Sequence, residues 1–346
     1  MPAIIDGANS EECYAGEVMP EKQPRPIWRK PALAAVRPGQ ARRLLPCYLW
    51  ILASCALVFI SPTISSTSAL AASDSDWTVE AQPTQLFNGG PVLFQVKPPG
   101  KIDSLTGSWL GHQFTFSYDA STKSWFALAG INLDTTPGEY PLELSAVPAA
   151  GKTPSRLTLT RRFAVADGNY PKIPGKLSVE GKFTEPDPEQ QKQIEEASKI
   201  KKEYLTRVTA ERGWSGQFAA PAEADISDVF GIQRVFNGKA LSTHYGLDYR
   251  VHTGTPVTAM NSGTVLLARF LYYEGNFVVI DHGQGLLTLY LHLSELKVKE
   301  GDPVKRGQIV GLSGGTGRAT GPHLDVRVRW QGIYLDPARL LQLPLP

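Results

Sequence analysis

Three regimes of hydrophobic patterning divide the chain. Residues 48–60, YLWILASCALVFI, form an unbroken apolar run, with Arg42 and Arg43 before it and small polar residues after it. That length suits the apolar core of an export signal better than a membrane span, and Ala69 and Ala71 fit the small-residue cleavage pattern. Residues 1–72 are therefore predicted to be an N-terminal extension and signal peptide. From 74 to 166 short alternating or continuous apolar stretches recur, among them GPVLFQVKPP, GHQFTFSYD and GEYPLELSAV. The turn formers NGG, PPG and DTTPGE separate them, and strands at this spacing predict an immunoglobulin-like β-sandwich.

A Pro- and Lys-rich linker is predicted over 167–213, carrying a helix at about 187–212. Pro188 suits a first helical turn, and Ile194, Ala197 and Ile200 recur at three-residue steps. From 214 to 346 the pattern changes again. Gly-bounded apolar runs such as TPVTAMNSGTVLLARFLY and GNFVVIDHGQGLLTLYLHLS predict a compact, mostly antiparallel β domain with glycines at its corners. The fold class expected is mainly β.

The formal net charge of the 346-residue chain is +2, which gives no electrostatic reason to expect a nucleic-acid partner. All three cysteines (Cys13, Cys47 and Cys55) precede the expected cut, so the exported part needs no redox protection. The expected location is the periplasm or cell envelope. A membrane enters only if residues 48–60 stay uncleaved as an anchor.

Candidate chemistry gathers in the last third. STHYGLDYR offers His244 and Asp248 with Gly246 between them, and on an extended chain these three share a face. TLYLHLS puts Tyr290 and His292 on one face of a strand, and GPHLDV does the same for His323 and Asp325. A lone strand histidine is usually structural. Two His/Asp pairs and a further histidine are what a catalytic zinc site uses, with protein ligands leaving room for water. A salt bridge from Asp325 to Arg327 or Arg329 is the structural alternative. His282 suits a turn, and His252 lies outside the pattern.

The blocks FGIQRVFNGKALSTHYGLDY, TGTPVTAMNSGTV, GDPVKRGQIVG and GGTGRATGPHLDV resemble, in order, those of the lysostaphin-type (LytM domain) zinc metallopeptidases. The resemblance runs over roughly 217–338 and implies the duplicated hybrid motif fold. It makes His244 and Asp248 metal ligands, and His292 and His323 the catalytic histidines beside the metal. The family usually reads His-x-His at the last pair, the second His being the third ligand; here that position is Asp325. Aspartate is a competent zinc ligand, although carboxylates make Mn2+ or another divalent ion more competitive.

The function implied is an exported zinc metalloendopeptidase acting on the stem peptides of peptidoglycan. The sandwich would serve cell-wall or divisome partners. The alternative is a catalytically silent module that binds cell wall or activates a separate amidase, because Asp325 departs from the family pattern.

Overall fold

The computed structural model describes residues 76–149, 156–177, 187–236, 239–319 and 321–346. The signal expected around 48–60 lies outside them. Strands account for most of the regular structure: β1 (Thr78–Gln82), β2 (Leu86–Phe87), β3 (Pro91–Lys97), β4 (Ile102–Trp109), β5 (His112–Thr115), β6 (Ser117–Asp119), β7 (Ser124–Gly130), β8 (Gly138–Pro148) and β9 (Leu157–Ala166) come first. They form two sheets, ordered β1-β3-β7-β6 and β2-β9-β8-β4-β5. Inward residues of the two sheets meet face to face. Phe94 of β3 packs edge-on to Trp109 of β4 at 5.3 Å between ring centroids and lies as close to Phe163 of β9.

The expected linker is more ordered than its composition suggests. It contributes β10 (Lys172–Leu177) and then helix α1 (Pro188–Leu205). Asp187 caps α1: its carboxylate accepts from the Gln190 backbone N–H, and the Gln190 side chain accepts from that of Asp187. The helix stops at Leu205, short of the expected 212. Beyond it the chain is drawn out along a neighbouring turn, where Gln284 donates to Thr209 O and Gly213 to His282 O. Those long-range bonds replace the helical ones.

The remainder adds β11 (Ile226–Asp228), β12 (Gln233–Phe236), β13 (Lys239–Thr243), β14 (Leu247–Tyr249), β15 (Pro256–Thr258), β16 (Gly263–Leu271), β17 (Gly275–Asp281), β18 (Leu286–Leu293), β19 (Glu295–Leu296), β20 (Pro303–Val304), β21 (Ile309–Leu312), β22 (Leu324–Trp330) and β23 (Ile333–Leu335), then α2 (Pro337–Gln342). One antiparallel sheet runs β11-β14-β22-β18-β17-β16-β20, with β23 on β22. Its two faces are both covered, which is why β18 is buried along its whole length. On one side Leu287, Leu289 and Leu291 meet Ala197 and Leu205 of α1. On the other, Leu286 and Tyr290 join the main core. Strand β10 pairs in parallel with β12 in a separate sheet, β10-β12-β13.

Candidate metal centre

His244 lies in the short link between two strands. It follows β13 and precedes β14, so only Asp248 of the 244, 246 and 248 set lies on a strand. Its backbone is pinned twice to the Phe230–Ile232 turn, donating to Ile232 O at 3.0 Å and accepting from Gly231 N at 2.8 Å. Gly231 has φ +80°, which glycine adopts at little cost. The ring still reaches Asp248: Nε2 lies 3.3 Å from Oδ1.

Asp248 is the middle member of a row of acids. It is in register with Asp325 on β22 and with Asp228 on β11. Asp228, His244 and Asp248 each offer a ligand atom within 4.8 Å of the others; Asp325 does not belong to that tight set. Asp228 is a residue the sequence patterning missed. Its relation to the site exists only through pairing of strands far apart in the chain.

Asp325 is buried, and its two oxygens do different things. Oδ2 accepts from Arg327 Nε at 3.0 Å and from the second guanidinium nitrogen at 2.8 Å. Oδ1 is buried with no hydrogen-bond partner, and so are His244 Nε2 and Asp248 Oδ1. Burial opposes the charge of Asp325, but Arg327 and His244 outweigh it and hold the carboxyl well below the usual range. Gly246 lies against that free oxygen. A Cβ there would stand 2.0 Å from Oδ1 and 3.1 Å from Arg327 Cγ.

His292 and His323 come together with ring centroids 4.9 Å apart. The expected shared face of Tyr290 and His292 is broken. Asn276 pairs with Leu293 and Val278 with Tyr290, so β18 carries an extra residue at this point and His292 takes φ +61°. After this bulge Leu293, not His292, joins the core that holds Tyr290. His292 Nδ1–H donates to Thr316 O at 2.9 Å, and its backbone N–H to Glu274 O at 2.9 Å. Burial, more than any neighbour, pushes its pKa down to about 4, so the imidazole is neutral near pH 7. His323 is held by its own N–H on Gly314 O and by Nδ1–H on Gly321 O at 2.9 Å.

The other histidines stand apart. His282 is fully buried between the Ser262 carbonyl and the Thr288 hydroxyl, while His252 is exposed.

The donor set fits a divalent cation. Buried polar atoms without partners are rare, and three of them here are an imidazole nitrogen and two carboxylate oxygens from adjoining segments. Asp228, His244 and Asp248 form the tight set that could hold the ion, and Asp325, in register with Asp248, is the further carboxylate beside it.

The profile of Peptidase family M23 matches residues 242–337. Over 94 residues the chain is 51% identical to the peptidoglycan DD-endopeptidase ShyA of Vibrio cholerae, which is 27% of this chain and 22% of that protein. It is 41% identical over 103 residues to the DD-carboxypeptidase/endopeptidase Mpg of Neisseria meningitidis, 30% of this chain and 24% of the relative. The chain thus spans about a quarter of the length of these relatives. A solved Pseudomonas aeruginosa structure named for the M23 peptidases aligns with a TM-score of 0.57 and 28% identity, covering 74% of this chain and 95% of the other. The segment similar to Peptidase family M23, residues 242–337, is the one that carries His244, Asp248, His292, His323 and Asp325.

Proposed function

We propose that this chain is an exported, zinc-dependent endopeptidase that hydrolyses peptide crosslinks of peptidoglycan in the periplasm or cell envelope. The observation that carries this reading is the set of three buried ligand atoms without hydrogen-bond partners, two of them (His244 Nε2 and Asp248 Oδ1) 3.3 Å from each other, beside two clustered histidines. The substrate class is supported by the names of ShyA and Mpg. The ion would polarise the scissile carbonyl and supply positive charge where the oxyanion develops. His292, neutral and with Nδ1–H engaged on Thr316, has the tautomer that leaves Nε2 as proton acceptor for the attacking water. His323, whose Nδ1–H is engaged on Gly321 O, would donate to the oxyanion through Nε2 in its doubly protonated form.

The Asp325–Arg327 pair favours a second reading, a metal-free module that binds cell wall without cutting it. Metal analysis of the purified protein, followed by digestion of purified sacculi by wild type and His323→Ala, separates the two. The enzyme reading expects one ion per chain and turnover in wild type that falls by about 10²–10⁴ in the variant. A metal-free protein that binds sacculi without releasing peptides would replace it with the module.

A further inference from the structure

Exchanging a neutral imidazole ligand for a carboxylate changes both the geometry and the charge of a metal centre. Two carboxylates and one imidazole cancel a divalent ion outright, whereas one carboxylate and two imidazoles leave a positive charge. A free carboxylate can also bind through either or both oxygens. Arg327 answers both problems. Two residues along β22 from Asp325, it emerges on the same face. Its planar fork engages Oδ2 at 3.0 and 2.8 Å, which leaves only Oδ1, lying against Gly246, without a hydrogen-bond partner. The side chain of Asp325 is 2% exposed and that of Arg327 19%, so the pair is poorly screened. The Arg327 stem also packs over Gly246, the residue whose lack of Cβ leaves room for Oδ1.

We propose that Arg327 is a positioning residue for the metal centre: it fixes Asp325 as a one-oxygen ligand and restores the positive charge that the carboxylate removes. This rests on the metallopeptidase reading above. It makes Asp325 and Arg327 a coupled unit, so neither substitution is neutral alone.

The test is a double-substitution cycle on the full chain, reading zinc affinity by chelator competition and coordination by the visible spectrum of the cobalt(II) form. Arg327→Gln releases Oδ2, and the cobalt bands weaken as the coordination number rises. Asp325→His leaves the guanidinium beside the ion without its anion, and zinc affinity falls by about tenfold or more. Adding Arg327→Gln to Asp325→His recovers that loss. Arg327→Lys, which keeps the charge but not the fork, changes the cobalt spectrum while the protein stays folded; it is the informative variant should the glutamine form be unstable. An unchanged spectrum in both arginine variants, or an equal effect of Arg327→Gln with His or Asp at 325, overturns the proposal while leaving the metallopeptidase reading intact. Failure of the wild type to bind zinc or cobalt overturns both.

Discussion

Asp248 faces Asp325 directly across the β14–β22 ladder, and its other neighbour in register is Asp228. Like charges directly opposite one another destabilise a sheet, so this row needs cations. Arg327 meets one oxygen of Asp325. Asp325 Oδ1 has no hydrogen-bond partner and Asp248 Oδ1 has only His244 Nε2 nearby at 3.3 Å, an arrangement suited to a second cation.

The row yields a comparison between two substitutions of the same kind. Asp325→Asn is expected to weaken zinc binding by about 10- to 100-fold, whereas Asp228→Asn changes it less than about threefold. Isothermal titration of both purified variants measures this. The reverse ranking would move the ion to the Asp228 side of Asp248, where the tight Asp228, His244 and Asp248 set lies.

Gly246 supplies the space that Asp325 uses. A methyl group 2.0 Å from Oδ1 is impossible without displacing the carboxylate or the chain. Gly246→Ala is therefore expected to abolish metal binding and to lower stability by roughly 1–3 kcal/mol, as overpacking does. Gly100→Ala, where an added Cβ meets nothing within 4 Å, is the control and leaves both unchanged. Urea unfolding without metal, followed by zinc titration, reports the two effects separately.

Much of this site was legible in the sequence because β patterning is a parity rule. Strand β22 carries Asp325 and Arg327 on one face as alternation requires, and the ion pair between them was readable as an alternative to ligation. In the structure the pair takes Oδ2 and leaves Oδ1 without a hydrogen-bond partner, so the ion pair does not by itself use up the carboxylate. What parity could not give lies where the chain departs from it or pairs at a distance. His292 sits on a bulge, His244 between two strands where the Gly231 turn holds it, and Asp228 reaches the site through β11–β14 pairing. The helix end at Leu205 was hidden for a related reason: the bonds that stop it come from the Asp281–Gln284 turn, far along the chain.

An ion pair links helix α1 to the site. Lys201 Nζ lies 2.5 Å from Glu274 Oε1, and the Glu274 carbonyl accepts the His292 backbone N–H. The Glu274 side chain is only 7% exposed, so Lys201→Met strands a buried carboxylate and is expected to cost roughly 3 kcal/mol. Lys201→Met with Glu274→Gln should recover most of that stability. Thermal unfolding of the two variants beside wild type checks it; equal loss in both would mean that the stem of Lys201, not its charge, matters.

His282 makes the fold itself sensitive to acid. Its Nδ1–H donates to Ser262 O at 2.7 Å, Nε2 takes the Thr288 hydroxyl at 2.8 Å, and Phe218 packs edge-on at 5.1 Å between centroids. Burial pushes its pKa from 6.5 down to about 4. Between those values the unfolded chain takes up a proton that the folded chain refuses, so stability present above pH 6.5 drains away as pH falls and levels off below 4. The total is on the order of 3 kcal/mol for this residue. His292, also near 4 when folded, adds a loss of the same sign, so wild type alone cannot isolate His282. His282→Gln keeps hydrogen-bonding atoms but has no titration in this range. Its unfolding free energy should therefore fall less than that of wild type between pH 7 and pH 4.5, measured by urea denaturation of the metal-free proteins. Parallel pH profiles would show that the folded protein accommodates the His282 imidazolium.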